Sequence, residues 1–199
     1  MSSSRPPKLE AWQTIVAEPK NIFGWPAWSD GAMYRESRKQ ATDAGRLPLI
    51  SDMASRSEMI ITVSDSNDIA LEDIRIRIGV WRNRPMEDVT ATFEINDAVR
   101  WVCVSRIDFA PTAPHTNRHW RRFHLSPEIN GSHIHTCEDN ARIGADAFLP
   151  ASNLPNARAL DKEPQSFREI WAVIGAHFNI SGLDDLPAPE WNGSLRYDR

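Results

Sequence analysis

Two pairs of ionisable residues have the spacing at which neighbouring side chains of a β-strand point the same way. Arg106 and Asp108 form one pair, and His133 and His135 form the other. Residues two apart lie on one face of a strand, so each pair presents its groups together. Two imidazoles can act as general acid and base near neutral pH, and an arginine can hold a phosphate through two hydrogen bonds. We expect Asp108 to orient an imidazole or to pair with Arg106.

A third histidine lies between the two pairs. His115 follows Pro114, and Asn117 comes two residues later, in a segment typical of a loop. This loop is short enough to return over the same surface if the two strands are neighbours in the sheet. We therefore predict that five groups converge in one pocket and carry catalysis: His115, His133, His135, Arg106 and Asp108.

The same region is locally basic although the chain is acidic. From Arg100 to His124 there are five arginines and one acid, whereas the whole chain has a net charge of −4. That net charge argues against a surface dominated by nucleic-acid contacts. A local anion site remains open, and so does a plain solvated arginine face. The residues predicted to bind the anion are Asn117, Arg118, Arg121 and Arg122.

Zinc is a second interpretation of the same histidines. His133 and His135, completed by His115 or Asp108, would give three ligands and an open position, which is the catalytic zinc pattern. However, a His-x-His pair is a weak signal, and the sequence has no His-Glu-x-x-His motif. We expect no stoichiometric metal and no cofactor.

Several classes of function are disfavoured by what the sequence does not contain. It has no Walker loop, no Gly-x-Gly-x-x-Gly and no Gly-x-Ser-x-Gly motif, which disfavours nucleotide hydrolysis, dinucleotide binding and serine hydrolase chemistry. Two cysteines are too few for a disulfide framework. No apolar run is long enough to span a membrane, and the first residues do not resemble a signal peptide. We expect a cytoplasmic protein with no membrane partner.

Hydrophobic periodicity indicates the elements that must position the site. Alternating apolar residues predict strands over 59–63, 74–80, 89–95 and 100–108, and a later strand over 132–136. A capping box, Ser166 with Glu169, begins a helix whose apolar face reaches Phe178. The order of these elements predicts an α+β fold, with an antiparallel sheet of about four to six strands and helices packed on one face.

Composition divides the chain into three parts. Residues 1–28, rich in proline and tryptophan, are predicted to form an extended, partly ordered arm. Residues 29–180 are predicted to form one α+β domain, with a first helix from Asp30 towards Gly45. Residues 181–199 are predicted to form a surface tail.

The order of these motifs resembles a family of small bacterial toxin-like proteins. The resemblance rests on Arg106-x-Asp108, Pro114-His115-x-Asn117 and Gly131-x-His133-x-His135, followed by a helix that ends near Phe178, and it covers roughly residues 100–180. Members are linked to toxin-antitoxin or mobile-element loci. The insert from His119 to His124 is longer and more basic than the family pattern. The resemblance implies a toxin-like domain with nuclease activity.

Two functions of different class follow. The first is a toxin-like endoribonuclease that acts without a metal, with RNA as substrate and with an antitoxin protein or a second copy of the chain as partner. The second is a non-catalytic phage or mobile-element protein, such as an anti-CRISPR-like counter-defence inhibitor. It would block a nucleic-acid-binding complex of the host. Clustered histidines and arginines favour the first, and the acidic net charge and the tryptophan-containing arm favour the second.

Overall fold

A computed structural model describes residues 7–30 and 56–190, and these form an α+β fold. The helices are α1 Pro7–Ala17, α2 Trp120–Phe123, α3 Cys137–Ala141 and α4 Phe167–Phe178, with 3₁₀ turns at Ala145–Phe148 and Leu183–Asp185. The strands are β1 Lys20–Phe23, β2 Ser29–Asp30, β3 Arg56–Ser64, β4 Ala70–Trp81, β5 Val89–Asn96, β6 Trp101–Phe109, β7 His115–Thr116, β8 Glu128–Ile129, β9 His133–His135, β10 Arg158–Ala159 and β11 Ile180–Ser181.

Most of the strands belong to one sheet. Its order is β10-β9-β6-β5-β4-β3-β1-β11, and β2 pairs with β3 as well. All neighbours are antiparallel except β1 and β11. Strands β7 and β8 form a separate pair. The predicted α+β class and mainly antiparallel sheet are confirmed. The sheet exceeds the predicted four to six strands, because its edge strands are too short to show periodicity.

The two faces of the sheet differ in chemistry, as the alternation in β4 predicts. Ile76 and Ile78 are fully buried in the core, whereas Arg75 and Arg77 lie on the opposite face. The core face is covered by α4, whose Phe178 ring lies 5.5 Å from that of Phe93 in β5. Arg106 lies on the polar face, because it pairs with Thr92 and Thr92 pairs with Arg77.

Helix α4 begins and ends where its sequence predicts. The hydroxyl of Ser166 accepts a hydrogen bond from the backbone of Glu169, which caps the free N–H groups of the first turn. Asn179 ends the helix with left-handed backbone angles, φ 53° and ψ 56°. This helix covers the middle of the core face.

The segment predicted to be an extended arm is instead helical and packed. Leu9 and Trp12 are buried in the core, one helical turn apart, and the Trp12 ring lies 5.3 Å from that of Phe148. Strand β1 follows and pairs with β11, so this part of the chain belongs to the main sheet. Proline is tolerated in the first turn of a helix, so the prolines near the start of this segment are compatible with the short helix that begins there.

The predicted helix from Asp30 to Gly45 lies outside the described residues, apart from Asp30 itself, which ends β2. None of the helices within residues 7–30 and 56–190 has the length and apolarity needed to cross a membrane.

Burial of His177 in α4 gives the fold a dependence on pH. Burial lowers the pKa of His177 from 6.5 to about 4, and its Nε2 lies 3.3 Å from the Ser105 hydroxyl. Between these values the unfolded chain binds a proton that the folded chain does not, so the free energy of unfolding falls as the pH falls.

We predict that His177→Gln removes roughly 3 kcal/mol of the stability lost between about pH 7 and pH 4, because glutamine does not titrate. Urea denaturation at the two pH values measures this. The exposed histidine variant His124→Gln is the control and should behave like the wild type. Equal pH dependence in wild type and His177→Gln would contradict the prediction.

Candidate functional site: a histidine cluster on the polar face

Strands β6 and β9 are neighbours, as the sequence predicts, and their register places the two ionisable pairs opposite each other. Arg106 pairs with His135 and Asp108 pairs with His133 across the strands. Ile107, between them, is fully buried on the core face. Side chains opposite each other on antiparallel strands lie close enough to interact. The pairing therefore brings four ionisable groups together on the polar face.

His115 joins these groups from outside the main sheet. It lies in β7, which pairs with β8. The centroid of its ring lies 5.0 Å from that of His133 and 4.7 Å from that of His135. The rings of His133 and His135 are themselves 5.1 Å apart. His115 is partly exposed, whereas His133 is 3% and His135 0% exposed. His115 is thus the imidazole nearest to solvent.

Backbone carbonyls fix how each ring is turned. The Nδ1 atom of His135 lies 2.6 Å from the Leu154 carbonyl, and that of His133 lies 2.9 Å from the Gly131 carbonyl. For His115 the corresponding contact is from Nε2 to the Pro155 carbonyl, at 3.3 Å. A carbonyl only accepts, so each of these nitrogens carries a hydrogen. In the neutral rings, the lone pairs therefore lie on Nε2 of His133 and His135 and on Nδ1 of His115.

The loop that supplies two of these carbonyls is held by buried asparagines. The Asn117 amide bonds both the N–H and the carbonyl of Ala157, and Asn140 does the same for Asn156. Both side chains are fully buried. Leu154 has a φ of 56°, which is unusual for a branched side chain and costs roughly 1 kcal/mol or more. The clamped loop holds this conformation and directs the Leu154 carbonyl at His135.

Arg106 connects the acid to the histidines. Its Nε donates to Asp108 Oδ2 at 2.8 Å, and its Nη2 donates to His135 Nε2 at 2.8 Å. The Asn153 carbonyl accepts from Nη1 at 3.4 Å. Asp108 also accepts from the Thr90 hydroxyl, at 3.1 Å. A planar guanidinium thus bridges a carboxylate and an imidazole that both offer lone pairs.

The protonation states follow from this arrangement. Burial, followed by the charge of Arg106, lowers the pKa of His135 to about 4, although Asp108 opposes this shift. Burial also lowers the pKa of His115, with the charges of His133 and Arg106 adding to the shift. For Asp108, burial raises the pKa, but the proximity of His133 and His135 and the charge of Arg106 outweigh it and hold the pKa far below its usual value. At neutral pH, His135 and His115 are neutral and Asp108 is charged.

The predicted anion-binding residues separate into two groups. Arg118, Arg121 and Arg122 are exposed, in and just before α2, and the Arg121 guanidinium lies 4.9 Å from the Trp120 ring. Asn117 is buried with both its amide groups bonded to backbone, so the structure gives it a positioning role and not the predicted contact with ligand.

Sequence reasoning missed the residues that position the cluster: Asn140, Asn153, Leu154 and Asn156. Their contribution comes mainly from backbone carbonyls and N–H groups, which every residue type possesses. The only signal in the sequence is the group of asparagines in segments without periodicity, since asparagine often bonds to backbone in irregular structure.

The three histidines also satisfy the proximity expected of metal ligands. One nitrogen from each of His115, His133 and His135 lies within 4.8 Å of the others. Carbonyl groups that orient ligating histidines are common around metals as well. However, Arg106 donates to His135 Nε2, so a cation bound there would have to displace a guanidinium.

Comparison of the chain with protein-family models, with curated proteins and with solved structures gave no significant match. The chemistry of the cluster is therefore inferred from its own distances, burial and charges.

We predict that Asp108→Asn lowers the free energy of unfolding by roughly 3 kcal/mol, because Arg106 would keep a largely buried charge without its carboxylate partner. Urea denaturation at neutral pH measures the change. Asp161→Asn, an exposed aspartate, is the control and should change stability by less than about 0.5 kcal/mol. Equal stability of the two variants would show that the Arg106 pair contributes nothing to the fold.

Proposed function

We propose that the chain is a toxin-like endoribonuclease that cleaves RNA by histidine acid-base chemistry. The observation that supports this most is the convergence of three imidazoles, with ring centroids 4.7–5.1 Å apart, beside one arginine and one carboxylate. Such a set supplies a base, an acid and a cation for a phosphodiester.

His115 is the best candidate for the general base. It is the most exposed of the three rings, and its lowered pKa leaves it neutral at pH 7. It would remove the proton from a ribose 2′-hydroxyl, whose oxygen then attacks the neighbouring phosphorus. The bond from phosphorus to the 5′-oxygen breaks, which leaves a 2′,3′-cyclic phosphate and a free 5′-hydroxyl.

His133 and Arg106 would complete the reaction. Nε2 of His133 lies 3.4 Å from Asp108 Oδ2, so a cationic His133 has a carboxylate partner and can give its proton to the leaving 5′-oxygen. Arg106 would stabilise the negative charge that grows on the phosphoryl oxygens. His135, fully buried and bonded at both nitrogens, would act by positioning Arg106.

The exposed arginines next to His115 would bind the RNA backbone. Arg118, Arg121 and Arg122 follow His115 within seven positions of the chain. Trp120, 37% exposed, adds an aromatic surface on which a base can stack. This local surface provides the positive charge that the acidic chain lacks as a whole.

A zinc-dependent variant of this reaction is the second chemistry for the same residues. The proximity of His115, His133 and His135 favours it, and the guanidinium on His135 disfavours it. A bound metal would activate water, so cleavage would not require a 2′-hydroxyl.

A non-catalytic interaction protein of the counter-defence type is the second candidate function. Two observations favour it: His133 and His135 are almost inaccessible, and Phe23, the last residue of β1, and Trp25, just after that strand, are 47% and 72% exposed. In that case the histidine cluster would only stabilise the fold, and exposed aromatic residues would contact a host complex.

We predict that purified protein cleaves single-stranded RNA in the presence of EDTA, with a bell-shaped pH profile and 2′,3′-cyclic phosphate ends. His115→Ala and His133→Ala should each lower the rate roughly 10²- to 10⁴-fold, because each removes one proton-transfer partner. Gel analysis of a labelled oligonucleotide and its 2′-deoxy analogue measures this. The analogue should remain intact.

His124→Ala, an exposed histidine outside the cluster, is the matched control and should cleave at the wild-type rate. Circular dichroism shows whether each variant is folded. Loss of activity in EDTA together with one metal per chain by elemental analysis would replace the acid-base mechanism by metal-activated water. No cleavage under any condition would leave the interaction protein as the better description.

A further inference from the structure

The polar face of the sheet continues beyond the histidine cluster into a cavity of about 310 Å³, called here the Trp101 cavity. Strands β4, β5 and β6 form one side of it, and the segment from Phe148 to Leu154 forms the other. Its volume lies at the lower end of the range for small-ligand sites. The cavity therefore suits one nucleoside and not a folded RNA element.

The Trp101 cavity is directly adjacent to Arg106. Arg106 pairs with Thr92 across the strands and Thr92 pairs with Arg77, a residue of the cavity wall. Asn153 also lines the cavity, and its carbonyl accepts from Arg106. A group held by Arg106 would thus lie next to a group bound in the cavity.

The lining combines apolar and aromatic surface with positive charge. Trp101, Phe148 and Leu149 supply the apolar part. The guanidinium of Arg75 lies 4.0 Å from the Trp101 ring and orients it. Such a surface can stack a nucleobase.

The charges favour an anionic ligand. Glu94 is saturated, because its two oxygens accept from Arg75, Arg77 and Thr92. Arg100 also lines the cavity, and its guanidinium forms no ion pair with any residue in the described part of the chain. With Arg106 beside it, the cavity carries more positive than negative charge.

We propose that the Trp101 cavity is a nucleotide subsite that binds the base and ribose next to the phosphate held at Arg106. Its place in cleavage rests on the proposed ribonuclease function, whereas its affinity for a nucleotide does not. The subsite would give the histidine cluster a fixed register on single-stranded RNA.

Binding of nucleoside 5′-monophosphates to the full chain tests the proposal without any cleavage step. We expect saturable binding of at least one of AMP, GMP, CMP and UMP by titration calorimetry. Leu149→Trp places a bulky ring at the cavity wall from a position 42% exposed, and should weaken that binding about tenfold or more. Arg100→Ala should weaken it about three- to tenfold, because the cavity loses a positive charge that attracts the anionic nucleotide.

Val99→Trp is the matched control, since Val99 is 89% exposed and lies outside the cavity wall. The affinity of this variant for the nucleotide should equal that of the wild type. Equal affinity in wild type and Leu149→Trp, or no nucleotide binding by the wild type, would overturn the subsite. Cleavage without such binding would leave the ribonuclease proposal standing and the subsite wrong. Nucleotide binding that depends on the cavity, without any cleavage, would leave the subsite standing and the ribonuclease proposal wrong.

Discussion

The guanidinium of Arg106 is the interaction on which the candidate site depends. It bonds Asp108, His135 and the Asn153 carbonyl at the same time, at distances of 2.8, 2.8 and 3.4 Å. Without it, the carboxylate and the lone pair of a neutral imidazole would lie 3.3 Å apart with no hydrogen between them. A largely buried cation thus makes a dense group of acceptors compatible with the interior. Together with the Leu154 carbonyl, it also fixes which nitrogen of His135 carries the proton.

The rest of the fold brings the residues of this site together. A sheet with one apolar face against α4 leaves its other face for polar residues, and a segment without regular structure covers the part of that face beside β6. The end of this segment is held in place, because Asn117 and Asn140 bond the backbone groups of Ala157 and Asn156, which follow it directly, from within the core. Buried polar groups that are fully bonded specify one arrangement strongly, since any slip leaves several of them without partners. The same segment carries the carbonyls that orient His115 and His135.

The sequence predicts those parts of the structure that depend on periodicity. Alternation in β4 to β6 and the Ser166 capping box predict the central sheet and α4, and the two-residue spacings predict that each ionisable pair shares a face. The neighbouring position of β6 and β9 was also predicted and is confirmed. The edge strands are too short to have a pattern. The full burial of His135 depends on a loop whose contacts are made by backbone carbonyls, and these have no signature in the sequence.

Nitrogen NMR of the histidine rings tests the role of Arg106 most directly. In protein labelled with ¹⁵N at histidine, two-bond correlations show which ring nitrogen carries a hydrogen. At neutral pH, His135 should be protonated at Nδ1 alone, with Nε2 accepting from Arg106, and its signals should be unchanged by EDTA. A His135 ring protonated at Nε2, a doubly protonated ring, or signals that shift when EDTA is added would contradict the account, because none of these is compatible with a guanidinium donating to that nitrogen.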